Sequence, residues 1–375
     1  MSKPEEFGVL TKPNIRPTLG GDPEFFIYNR EANKKIQVVS ADKVLQSKKN
    51  PIIIPNGSLF FDGVQAEINP VQHTCREFFI NNIYKCLMEV YKLSVNKYPN
   101  ILFVPLASIK IHKNDIKDAD MECTRFGCSP DLNIYTQEKI DYPDGKIFMN
   151  RFSGGHIHIG FDDLDIHKKM SEEGKLLNLL KLLDVIPGIM SVAISPGKEE
   201  KIRKDWYGKA GTYRNQPHGI EYRTLSSYWM VSPPMASLVL GLVRDAVVCV
   251  YNGLDTQLLS NINQEEVRKI IDTHDVSKAK KFYFDVLKPF YGYKPIDNSP
   301  MYPEVVIEFV DDLVKNGYQK YFNPFKMLSY WDVLDKNKFI PQGFKSSFGI
   351  YSFASLYKTN KEYREIVNEI NKSNI

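Results

Sequence analysis

Residues 153–161 read SGGHIHIGF. On a strand, successive side chains point to opposite faces, so His156 and His158 share one face and Ile157 and Ile159 the other. A half-exposed strand with a polar face accounts for a lone H-x-H. For a lone H-x-H that is the better reading; the alternative is a strand whose polar face lines a site, and the two separate on whether other strands do the same.

Three other extended stretches do. In GDPEFF, Asp22 and Glu24 share a face, with Phe25 and Ile27 opposite. In VQAEINP, Gln65, Glu67 and Asn69 face away from Val64, Ala66 and Ile68. In GIEYRTL, Glu221 and Arg223 oppose Tyr222. If these strands belong to one sheet, they form a single acidic surface with imidazole. Like charges gathered this closely raise one another's pKa or require a cation. Hard oxygen ligands with an imidazole suit Mg²⁺ or Mn²⁺, and Mg²⁺ commonly completes its shell with water and phosphate oxygens. The pattern therefore points to a metal–nucleotide site built without the phosphate loop G-x-x-x-x-G-K-[ST], which is absent from the sequence. The stretch YGKAGTYRNQPHGIEYR adds Lys209, Arg214 and Arg223, cations of the kind phosphoryl transfer uses. Taken alone, Lys209 reads as a solubilising surface residue. Arg223 shares a face with Glu221 and is expected to point into the cluster.

The totals frame this. The chain has 375 residues, 43% hydrophobic and 25% charged, with 22 phenylalanines and 21 tyrosines, which suits a folded chain with ample core. A net charge of +4 spread over 49 basic and 45 acidic residues gives no strong case for nucleic acid or a membrane surface and leaves neutral or acidic substrates open. Five cysteines at scattered spacings argue against a disulfide framework, and Cys123 and Cys128 have no second pair to complete a zinc site. The N-terminus has no apolar signal core, and the apolar stretch Met235–Leu254 carries Arg244 and Asp245 at its centre, which reads as a buried helix rather than a membrane span. A cytoplasmic protein is expected.

Along the chain, residues 1–18 form a polar lead-in, and residues 19–375 read as one catalytic domain whose part from 233 onward is mostly helical. SLFFDGVQAEINP is hairpin-like, turning at Asp62-Gly63. Thr74 is placed to cap a helix running to about Tyr98. ILFVPLASI and CSPDLNIYT read as strands, and residues 171–195 as an amphipathic helix with Pro187 near its end. Strands dominate the first part and helices the last, so the class is α+β with an antiparallel or mixed sheet.

The ordered pieces GGDPEFF, DGVQAEINP, FGCSPDLNIYT, RFSGGHIHIGF and YGKAGTYRNQPHGIEYRTLSSYW together resemble the glutamine-synthetase-like carboxylate–amine ligases, most closely their phage-type amidoligase group. The resemblance runs from about Gly20 to Trp229. It implies an incompletely closed antiparallel β-barrel with helices packed outside. It also implies ATP-driven activation of a carboxylate as an acyl phosphate, which an amine then attacks. By resemblance, Asp22, Glu24, Glu67, His156 and Glu221 bind metal, His158 lies near the nucleotide, and Arg223 contacts phosphate, as does Arg214. The first pair here is Asp-x-Glu where glutamine synthetase itself has Glu-x-Glu. The implied cofactors are ATP and Mg²⁺ or Mn²⁺; the partners are small-molecule or peptide carboxylates and amines.

Asp131 in GCSPDLNIY admits two readings: a carboxylate that takes the incoming amine's proton, or a Ser-Pro-Asp turn residue. Cys128 reads as a small packed residue. The rival functions are a zinc hydrolase or metal-dependent oxygenase using His156 and His158, and a nucleotide-binding protein without activity.

Overall fold

The computed structural model describes residues 16–32, 35–120, 123, 131–136, 139–140, 149–172, 174–296, 299–301, 304–336 and 356–373. Cys128 and most of the lead-in lie outside them. In chain order the strands are β1 (Thr18–Gly21), β2 (Glu24–Arg30), β3 (Ile36–Val39), β4 (Ile52–Ile54), β5 (Gly57–Asp62), β6 (Gln65–Pro70), β7 (Ile101–Val104), β8 (Ser108–Lys110), β9 (Asp131–Asn133), β10 (Lys139–Ile140), β11 (Asn150–Phe152), β12 (Ile157–Gly160), β13 (Thr212–Gln216) and β14 (Gly219–Tyr222). One antiparallel sheet has the order β1-β12-β14-β13-β9-β10. A second has the order β3-β2-β6-β5-β4, with β7 also on β2, and β8 and β11 form a separate pair. The class is α+β, as expected.

The four site-bearing strands are divided between two sheets rather than gathered in one. The break falls at Asp22-Pro23. Proline has no N–H to give a ladder, so the run LGGDPEFF is cut into β1, paired with β12, and β2, paired with β6. Glu24 N then donates to Gly154 O (2.9 Å), and Ile68 N to Pro23 O (3.2 Å), which pins the crossing between sheets. Gly21 permits the approach, because a Cβ there would lie 2.6 Å from His156 O.

Proline also cuts ILFVPLASI into β7 and β8. The β5–β6 hairpin forms as read, one residue later: Gly63, with φ 62°, and Val64 make the turn. The following helix is Arg76–Val95, and its N-cap is Cys75 rather than Thr74. The Cys75 N–H is taken by His73 Nδ1 at 2.8 Å.

Helix Arg76–Val95 lies on β5 and β6 and against helix Pro233–Tyr251, which packs on Lys175–Leu183. Pro187 sits inside a π turn, Asp184–Gly188, so the helix runs on to Ile194 instead of stopping at the proline. Helices Lys175–Ile194 and Pro233–Tyr251 are long and apolar enough to cross a membrane by composition, but 83% and 89% of their apolar windows are buried inside the fold. Leu238, Leu240, Leu242 and Val243 are each inaccessible. Full burial contributes roughly 1.5–3 kcal/mol per such side chain, which makes these helices core elements. Asp245 at the centre of the second accepts from Ser299 Oγ through Oδ2 at 2.6 Å, with Arg244 Nη1 3.8 Å from Oδ1. The part beyond Pro233 is helical as expected, and Trp331 Nε1 ties it back by donating to Met230 O (2.6 Å).

Candidate active site

The first wall is a row across one sheet. His158 on β12 stands directly opposite Glu221 on β14, and Glu221 opposite Arg214 on β13. Gly20 on β1 flanks His158, where a Cβ would lie 3.2 Å from Gln72 Cβ and 3.4 Å from His158 Cβ. Asp22, just past β1, completes the group: His158 Nε2 is 3.4 Å from Asp22 Oδ1 and 4.0 Å from Glu221 Oε2. Burial opposes charge on both Asp22 and His158, but it is outweighed at Asp22 by His156 and His158, and at His158 by Asp22 and Glu221. The Asp22 carboxyl is held well below its usual range and the His158 imidazole above its own.

The second wall belongs to the other sheet. Glu24 on β2 is directly opposite Glu67 on β6, and Asp62 at the end of β5 joins them; one carboxylate oxygen from each lies within 4.8 Å of the others. Burial, together with the repulsion of Asp62 and Asp22, pushes Glu24 up to about 8. Burial, Asp22 and Asp62 also push Glu67 well above its usual range, against the pull of Lys48. Gln65 Nε2 and the Gly154 N–H both donate to Glu24 Oε2, at 3.2 and 2.8 Å.

Both walls face one cavity of about 420 Å³, lined among others by Asp22, Lys48, Glu67, His158, Arg214 and Glu221. His156, Arg223, Asp131, Glu24 and Asp62 are not part of this lining, so the second wall meets the cavity through Glu67 and Lys48. His156 is 2% exposed, and both its ring nitrogens are engaged: the Tyr207 hydroxyl lies 2.7 Å from Nε2, while Asp22 Oδ1 and Arg223 Nη1 lie 3.2 and 3.1 Å from Nδ1. Burial and the Arg223 charge lower its pKa, so it is neutral at physiological pH. Arg223 is buried as well, donating to Glu221 Oε1 and to the Tyr207 hydroxyl (2.5 Å), with Nε 2.9 Å from Asp131 Oδ1. Asp131 is inaccessible and also receives Arg214 Nη2 at 2.9 Å. One buried carboxylate therefore orients both guanidiniums. The opposing effects of burial and Asp22 are outweighed at Glu221 by Arg223 and the two imidazoles, which lower its pKa.

The sequence-read residues thus come together with one exception. Lys209 is absent from the cavity lining; its carbonyl instead accepts from Thr212 and Thr224 hydroxyls at 2.7 and 3.0 Å. Arg223 reaches the cluster as expected, through Glu221. Four residues of the site escaped the alternation argument. Asp62 was read only as a turn former, and the cation Lys48 comes from the loop QSKKN, which has no periodicity to read. Tyr207 and Gln216, whose Nε2 donates to Glu221 Oε2 (2.6 Å), lie in the stretch that supplied Arg214.

The donor chemistry fits hard divalent cations. Two separate groups, Asp22–His158–Glu221 and Glu24–Asp62–Glu67, each place three ligand atoms within 4.8 Å of one another. His158 Nε2 is buried without a hydrogen bond at the centre of the first, the position a metal-bound nitrogen requires. Neither group contains a thiolate.

No curated protein matches the chain. What the motifs resemble is borne out over the part that holds His156, His158, Asp131, Arg214, Glu221 and Arg223: residues 104–269 match the family model of the phage phiEco32-like COOH.NH2 ligase-type 2, a phage-type amidoligase family.

Proposed function

We propose that the chain is an ATP-dependent carboxylate–amine ligase with a glutamine-synthetase-like barrel made from its two main sheets. The observation that carries this reading is the pair of carboxylate-rich groups facing each other across one cavity, with Arg214 and Lys48 on its lining. Bound divalent ions, Mg²⁺ or Mn²⁺, would supply charge neutralisation for the phosphates of ATP.

In this reading the substrate carboxylate oxygen attacks the γ-phosphorus of ATP and the bond to the bridging oxygen breaks, giving ADP and an acyl phosphate. The amine nitrogen then attacks the acyl carbon, phosphate leaves, and the nitrogen gives up a proton. Asp22, His158 and Glu221 hold one ion, and Glu24, Asp62 and Glu67 the other. Arg214, held by Asp131 and Glu221 but 29% exposed and on the cavity lining, presents its guanidinium to phosphoryl oxygens, whereas Arg223 at 4% fixes Glu221. Asp131 holds both guanidiniums, so its part is to position them. His156 holds Asp22 from behind, with Tyr207 bracing its far nitrogen. A ligand carboxylate braced in this way keeps its geometry when the ion arrives. The rival use of His156 and His158 as paired ligands of one zinc draws no support, because His156 is occupied on both nitrogens.

The test is incubation with Mg²⁺-ATP and pooled carboxylates and amines, read by mass spectrometry. The expected product is lighter than the sum of its precursors by one water and appears with one ADP per amide. Condensation that proceeds without ATP, or ATP-independent hydrolysis of added amides, would overturn the proposal.

A further inference from the structure

Lys48 has a pinned backbone and a half-exposed side chain whose head rests on Glu67. Its loop is pinned where Phe61 N donates to Gln46 O (2.9 Å) and where Ser47 bridges Phe61, yet the side chain is 60% exposed. The ammonium stands 3.1 Å from Glu67 Oε1 and 3.8 Å from Asp62 Oδ2, with the Phe60 ring centroid 5.1 Å away. It occupies the cavity edge of the Glu24–Asp62–Glu67 group and shares the cavity with Arg214 and His158.

One ammonium neutralises only part of a three-carboxylate group. A divalent ion seated among those oxygens does so more completely and repels a cation held a few ångströms off. The displaced head, on a flexible four-carbon stem, then has the cavity itself to turn into. What the cavity is read to receive is polyanionic.

We infer that Lys48 is a resident counter-ion, displaced from Glu67 by the metal ion and then available to bind phosphoryl oxygens of the nucleotide. The inference rests on the metal–nucleotide reading above. It assigns Lys48 opposite effects on two successive binding steps: it competes with the bare ion and assists the nucleotide.

The opposition is the test. In the full chain, Mn²⁺ is titrated by electron paramagnetic resonance, first alone and then with a non-hydrolysable ATP analogue. Lys48→Met should bind Mn²⁺ about tenfold more tightly than the parent without nucleotide, and the Mn²⁺–analogue complex about tenfold more weakly. Lys48→Arg keeps the charge and should follow the parent in both arms. Both affinities falling together, or neither moving, would overturn the role of Lys48 while leaving the metal site standing. Failure of the parent chain to bind Mn²⁺ at all would overturn the site reading and this inference with it. Circular dichroism checks the fold of each variant, and Lys48→Gln replaces Lys48→Met should the latter not fold.

Discussion

Glu24 and Glu67 face each other directly across the β2–β6 ladder, both buried, with Asp62 beside them. Like charges opposite one another destabilise a strand pair. The metal-free protein relieves this by keeping protons: Glu24 is raised to about 8, and Glu67 well above its usual range.

Metal binding should therefore release protons. At pH 7 Glu24 is mostly protonated and must ionise to serve as a ligand, so about one proton or more leaves per ion bound there. Affinity for Mg²⁺ or Mn²⁺ should rise with pH through about 8, and the Glu24 share of the release should fade above it. Isothermal titration calorimetry in two buffers of different ionisation heat reads the release directly. A binding heat independent of buffer would show the carboxylates already ionised.

The same protons set a stability cost. Because the folded pKa of Glu24 lies above its unfolded value of 4.5, the stability it contributes is fully present below about 4.5 and is lost as pH rises through about 8. Glu24→Gln keeps an acceptor for the Gly154 N–H and removes the charge. The metal-free variant should be more stable than the parent at pH 8, by about 4 kcal/mol, and no more stable at pH 4. Its metal-dependent ATP turnover should be nearly abolished. Chemical denaturation at the two pH values and an ADP assay check this.

Asp131→Asn removes the charge that holds Arg214 and Arg223. Breaking a buried ion pair from one side costs about 3–5 kcal/mol. With both guanidiniums released, ADP and amide should fall together. ADP formation that continues while amide is lost would instead assign Asp131 to the amine's proton.

Asp184 offers a pH reading away from the cavity. It accepts from the Tyr135 and Tyr222 hydroxyls, each at 2.8 Å, and burial raises it to about 6. Its folded pKa exceeds the unfolded value of 3.8, so its stabilising proton is fully present below about 3.8 and lost as pH rises through about 6. The total is about 3 kcal/mol. The stability difference between parent and Asp184→Asn should change by that order across pH 4–7 and level off above it. A flat difference would place the Asp184 pKa at its unfolded value.

The alternation of side chains carried the sequence reading a long way. Charged or imidazole residues at i, i+2 marked Glu24, Glu67, His158 and Glu221, because strand geometry alone puts such residues on one face. The division into two sheets was not legible in that pattern. It turns on Pro23, which directs Asp22 to one cluster and Glu24 to the other, and face alternation says nothing about which sheet a strand joins. Nor does it separate the two histidines, since His158 meets the cavity while His156 turns inward to Tyr207 and Arg223. Lys48 and Asp62 sit on a loop and a strand end, where only tertiary packing determines the neighbours.

The central claim is that two carboxylate groups hold two divalent ions across one nucleotide cavity. Counting Mn²⁺ bound per chain in the presence of a non-hydrolysable ATP analogue, for the parent, Glu67→Gln and Glu221→Gln, tests it most directly. The account predicts two ions for the parent and the loss of one in each variant, a different one in each. A parent that binds no Mn²⁺ with the nucleotide, or that is purified with one tightly held zinc per chain, would contradict it.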